Sequence, residues 1–328
     1  MSVIVDSAAV GAVPTVAERM PAPSRTGDVF AEKFTLVMAF SIFALIGLII
    51  YELVAGSWTT IKTFGFSFLT TSSWNPVTEK FGALPFIYGT LMSSLIALII
   101  AVPLSIATAV YLTELAPLWI RQPLTSLIEM LAAIPSVILG LWGIFVMIPF
   151  LSRFVYPPLQ AVLGWTPFFS GPIYGIGMLS GGIILSVMIL PIITSVSREI
   201  LSSVPNLQRE AAYALGATKW EVTRVAVLSY AKRGIFGAII LGLGRAIGET
   251  MAVTMVIGNS SKISASLFAP GNTMASVLAN QFAEASDDAF LSALFAVGLV
   301  LFLVTIVVNL FAQLLLLATG GSKHAKAA

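Results

Sequence analysis

Six long, almost uncharged apolar runs dominate this chain and leave it few ways to fold. They cover roughly residues 34–55, 85–112, 126–150, 172–197, 234–258 and 289–318. About 20 mostly apolar residues suffice for a helix to cross a bilayer, and each run meets that length. The expected architecture is all-α, a polytopic membrane protein with six transmembrane helices. Of 328 residues, 58% are hydrophobic and 10% charged, against about 25% charged in a soluble domain. The expected organisation is a flexible tail over residues 1–30, a transmembrane domain over 31–320 and a second tail over 321–328. Residues 1–29 lack the basic start and short apolar core of a cleaved signal peptide.

The loops differ in their basic residues. With six crossings, one side receives twelve Lys and Arg, and the other only Lys62, Lys80, Arg153 and Lys262. The positive-inside rule places the richer side, and both termini, in the cytoplasm. The aromatic-rich segment 56–84 is then an outer loop lying at the interface. Glycines and prolines within the runs, such as Pro103, Pro135, Gly181, Gly182 and Pro191, fit close helix packing and local kinks. Glu52 and Glu114 mark the ends of runs and are expected to face the interface.

Several chemistries are excluded. The chain has no cysteine, so thiol nucleophiles and thiolate metal sites are ruled out. The one histidine, His324, lies in a polar tail. No metal or cofactor is expected. The net charge of +2 is too small to suggest nucleic acid. No G-x-x-x-x-G-K-[ST] sequence occurs, so the chain carries no P-loop.

The longest internal loop, 198–233, has helical texture. Pro205 and Asn206 can start a helix, with Asn206 as its cap. LQREAAYAL is made of good helix formers, and Gly216 fits a left-handed stop. Thr218 followed by Glu221 has capping-box spacing, so a second helix is expected from Lys219. The small residues Ala211, Ala212 and Ala214 would allow another body to approach closely. Two readings are open: a docking device for a soluble partner, or an amphipathic connector on the membrane surface.

Glu210, Ala211, Ala212 and Gly216 match E-A-A-x-x-x-G, the EAA motif, and on these residues the chain resembles the permeases of ABC importers. The family pattern continues with I-x-L-P; Ala226, Leu228 and Ser229 stand there instead, which removes the usual proline at the bend into the next helix. FGALPFIYGTLMSSLIALIIAVPLSIATAVYLTE, AAIPSVILGLWG and GLGRAIGETMAVTMVIGN further resemble phosphate-importer permeases, over roughly residues 60–318. The resemblance implies the type I ABC-importer permease fold in a bacterial inner membrane. It also implies a transport subunit rather than an enzyme, with ATP hydrolysis in a separate protein. The implied partners are a homologous permease, two ATP-binding cassette ATPase subunits docked at Glu210–Gly216 and an extracytoplasmic phosphate-binding protein. The implied cargo is inorganic phosphate. A permease for sulfate or molybdate, the sister phosphate permease and an ion-driven secondary transporter are the alternatives.

Arg245 and Glu249 fall within the fifth run. An arginine at the bilayer centre costs at least about 2.5–3.5 kcal/mol on insertion scales. On a continuous helix the i,i+4 spacing would place Glu249 on the same face. Either the two form a structural ion pair or they line the translocation path, where Arg245 offers a planar fork matched to an oxyanion. Gly242, Gly244 and Gly248 would then admit a second subunit or the ion. Glu129 in the third run is a further pathway candidate, or the partner of an internal Arg or Lys.

Overall fold

The computed structural model describes residues 25–320. The expected tails over 1–24 and 321–328 lie outside the described residues; residues 25–30, expected in the first tail, are helical. The main helices are α1 (Arg25–Gly56), α2 (Leu84–Leu115), α3 (Leu118–Ala133), α4 (Ser136–Leu163), α5 (Met178–Ser202), α6 (Asn206–Ala214), α7 (Lys219–Ile247), α8 (Met251–Ile257), α9 (Met274–Gln281) and α10 (Asp288–Gly320), with short helices at Trp58–Phe64 and Ser67–Thr70 between α1 and α2. Among the described residues six of these, α1, α2, α4, α5, α7 and α10, are long and apolar enough to span a membrane. The chain divides into two compact units, up to Glu52 and from Leu53 onward; everything below concerns the second.

Two expected spans are interrupted. The third run splits where α3 ends and Ile134 and Pro135 are both extended. Proline disfavours the helical conformation in the residue before it, so the break falls where the sequence places Ile-Pro. The fifth run splits at Gly248–Thr250, between α7 and α8. The segments beyond the two breaks pack together: a Cβ at Gly140 of α4 would lie 2.6 Å from Met255 Sδ of α8.

The core forms around α2 and α5. Between membrane helices apolar burial gives little drive, so close packing must hold them. Gly182 of α5 lies against Ile96 of α2, where a Cβ would overlap the isoleucine. Leu185, Ile189 and Ile193 of α5 and Val253 and Val256 of α8 complete the cluster. Ser105 of α2 donates to Leu190 O of α5 at 3.0 Å, an interhelical hydrogen bond in an apolar setting.

The first amides of a helix have no partner within it. For α5 the irregular segment after α8 supplies them. Met178 N donates to Ala269 O at 3.0 Å and Leu179 N to Leu267 O at 2.8 Å, while Gly177 N reaches Val256 O at 3.1 Å. The 56–84 segment is only partly interfacial. Trp58 and Phe66 are exposed, but Phe68 and Phe81 are buried. Trp74 edges onto Phe81 and Phe86 and donates to Gln281 Oε1 at 2.8 Å.

Candidate functional site

The loop between α5 and α7 folds as a rigid corner. Pro205, not Asn206, takes the cap position of α6. The reason is local: Asn206 Oδ1 accepts from Arg209 Nη1 at 3.3 Å rather than from a backbone amide. At the other end Gly216 adopts φ +83°. Gly216 N donates to Tyr213 O at 2.9 Å and Ala217 N to Ala212 O at 3.2 Å, the paired bonds of a Schellman stop. Thr218 and Glu221 then form the expected capping box at the start of α7. Without the family's proline, α7 continues unbroken to Ile247 through a π-helical turn at Val222–Val227.

No residue of α6 is buried. Glu210, Ala211 and Gly216 are exposed and Ala212 half-buried, and the apolar side chains of Leu207 and Leu215 stand open. The residue holding this helix is one that sequence reading passed over. Arg209 Nη2 pairs with Glu114 Oε1 at 2.9 Å and both side chains are largely covered, at 17% and 11% exposure. Glu114 therefore does not face the interface. It sits in the π-helical turn that closes α2.

The second candidate region departs from expectation. Arg245 and Glu249 form no ion pair among the described residues, because α7 stops at Gly248 and helical periodicity stops with it. Arg245 lies exposed in the last turn of α7. Glu249 is 9% exposed, and its Oε1 accepts from Ala252 N at 3.4 Å at the start of α8. Each charge thus suits its own half-helix: a cation favours a helix C-terminus and an anion an N-terminus. Arg245 has no hydrogen-bond partner among the described residues. Gly242 is not free for a second subunit, since a Cβ there would lie 2.7 Å from Ile193. A Cβ at Gly244 would meet nothing within 4 Å.

Glu129 joins neither. On α3, it accepts from Arg198 Nη2 of α5 at 3.2 Å, while Arg198 Nη1 donates to Thr125 Oγ1 at 3.0 Å. Glu129 and Arg198 border a cavity of about 510 Å³ that Arg121, Ser195 and Glu199 also line.

Residues 101–317 match the family described as binding-protein-dependent transport system inner membrane component. The chain belongs to that family. Among its relatives is the phosphate transport system permease protein PstC of Mesorhizobium japonicum, 47% identical over 92% of this chain and 97% of that one. The PstC protein of Pasteurella multocida is 48% identical over 88% of this chain and 92% of that one. A solved bacterial ABC transporter involved in the import of the acidic polysaccharide alginate aligns with a TM-score of 0.57. It covers 89% of this chain and 98% of that one at 17% identity, so it supports the fold alone. As a member of this family the chain is a multi-pass membrane transport subunit that works with a substrate-binding protein, not an enzyme.

Proposed function

We propose that this chain is one of two permease subunits of an ATP-driven phosphate importer. Both termini then face the cytoplasm, as the basic residues favour. The α6 corner would dock on a separate ATPase subunit, two of which would sit beneath the permease pair. A phosphate-binding protein would deliver the ion from outside. ATP binding would draw the ATPases together and carry α6 with them. Because α7 runs from the capping box to Arg245 without a break, motion at the corner would reach the interruption near that residue.

The observation carrying this reading is Arg245, unpaired among the described residues at the break in an apolar run, 234–258, whose one other charged residue is Glu249. Irregular backbone at membrane depth is tolerated where it lines a cavity or is buried in protein. An uncompensated guanidinium there suits a tetrahedral oxyanion, which accepts from its fork in two places. Glu249, tied to α8, leaves the fork unneutralised.

The test is uptake of radiolabelled phosphate by proteoliposomes holding both permeases and the ATPase. The binding protein is added outside, with ATP inside or absent, and sulfate or molybdate as competitors. ATP-dependent uptake that ignores the competitors is the expected result. Loss to a competitor would change the ion. Uptake without ATP would place the chain in another class of transporter.

A further inference from the structure

Arg209 gathers four acceptors around one guanidinium. Nη1 donates to Val204 O at 2.6 Å and Asn206 Oδ1 at 3.3 Å. Nη2 donates to Leu201 O at 3.0 Å and Glu114 Oε1 at 2.9 Å. These acceptors belong to three different elements. Leu201 lies in the last turn of α5, where backbone carbonyls lack helical partners. Val204 lies in the turn into α6, whose first residue is Asn206. Glu114 is in the π-helical turn closing α2.

We infer that Arg209 is a positioning residue that clamps α6 to the paired ends of α2 and α5, so that a push on α6 displaces the core helix pair rather than flexing the loop. The inference rests on the docking role proposed above and adds to it a route of transmission. Some interaction must hold α6 against α2 and α5. The helix buries no side chain, so apolar packing cannot fix it to α2 and α5. Its stop at Gly216 leads away, into α7. Of the four bonds of Arg209, those to Leu201 O and Glu114 Oε1 join α6 to α5 and α2 among the described residues, while the bond to Val204 O ties it to the turn and that to Asn206 stays within α6. Beyond the clamp, α2 and α5 are packed through Gly182 and Ile96 and tied by the Ser105 bond. Displacement of their ends is therefore shared by both.

Arginine is required here for its geometry. Two nitrogens of a planar fork reach opposite directions, one toward the turn and one toward Glu114 and α5. Lysine keeps the charge but concentrates its donors on one atom. Lysine can thus hold Glu114 or the carbonyls, and not the full set. Arg209 would not touch the cargo, so its loss should show in coupling rather than in ion affinity.

The experiment measures ATP hydrolysed per phosphate imported, in proteoliposomes of the full complex. The proteins are wild type, Arg209→Gln, Arg209→Lys and Glu114→Gln, each checked for ATPase stoichiometry after purification. Expected is a ratio raised about fivefold or more in Arg209→Gln, the low end of typical coupling between sites. Arg209→Lys and Glu114→Gln should fall between it and wild type, with stoichiometry and the half-saturating binding-protein concentration unchanged. Glu114→Gln keeps the three other bonds, so it reports on the clamp even if Arg209→Gln fails to assemble. An unchanged ratio in Glu114→Gln and Arg209→Lys, with wild type still ATP-dependent, would overturn the clamp and leave the proposed function standing. So would variants that lose ATPase subunits while the remaining complexes couple normally. Wild-type uptake that needs no ATP would overturn both.

Discussion

Two arginines, Arg209 and Arg245, stand thirty-six positions apart and are treated in opposite ways. Arg209 lies at the polar loop, where water is near, yet it is largely covered and bonded to four acceptors. Arg245 lies in a mainly apolar helix, where pairing would relieve it most, yet it is exposed and has no partner among the described residues. Position in the sequence therefore does not tell a structural charge from an available one. Partners do. A partnered guanidinium holds elements together, whereas a bare one in an apolar span costs stability and so points to use.

The strongest attempt to break this contrast is Arg245→Gln. Removing one charge-assisted hydrogen bond, worth about 1.5–3 kcal/mol, should lower phosphate uptake roughly tenfold to a hundredfold. The complex should still assemble. Normal uptake would make Arg245 as structural as Arg209.

Gly216→Pro attacks the loop side. Proline locks φ near −65° and cannot adopt the +83° of this stop. Forcing the corner costs about 1–3 kcal/mol, enough to lower co-purification of the ATPase severalfold and uncouple uptake while the spans remain inserted. Full ATPase binding would show that α6 is not the docking element.

A gentler probe is Thr218→Ala, which removes a cap worth about 1 kcal/mol. Amide hydrogen exchange at Glu221–Thr223 should quicken roughly fivefold, with exchange in α5 unchanged. Protection lost across α5 as well would mean that the corner is not a separate unit.

The smallest effect belongs to Glu129→Gln. Its pair with Arg198 is more than half exposed on the Glu129 side, and exposed pairs contribute about 0–1 kcal/mol. Uptake should stay within about twofold of wild type. A large loss would move Glu129 into the pathway.

The parts legible in the sequence were those set by neighbours along the chain. The spans follow from apolar run length. Gly216 and the Thr218–Glu221 box follow from spacing over a few residues, and the structure bears them out. Pro135 carried a usable signal too, since Ile134 precedes it. The break at Gly248 carried less, because glycine is common inside membrane helices and the i,i+4 spacing of Arg245 and Glu249 suggested continuity. Glu249 accepts from Ala252 N in the first turn of α8, a local contact that was hidden by the more obvious pairing. The Arg209–Glu114 pair spans 95 positions, and no local pattern announces it. The one hint was Glu114, a charged residue at the end of the second run.

The π-helical turn at Val222–Val227 has a consequence for how this chain can change over time. Such a turn is an α-helical turn that has absorbed one extra residue. Because the bulge takes up that residue within one turn, deleting a single residue there would restore regular winding and leave the later side chains of α7 near their present bearing, whereas deleting one from a regular turn would rotate them all by about 100° about the helix axis. Arg245, some twenty positions downstream, would keep its neighbours in the first case and exchange them in the second. The bulge is in this sense a place beside the α6 corner where the chain can change length without turning the arginine.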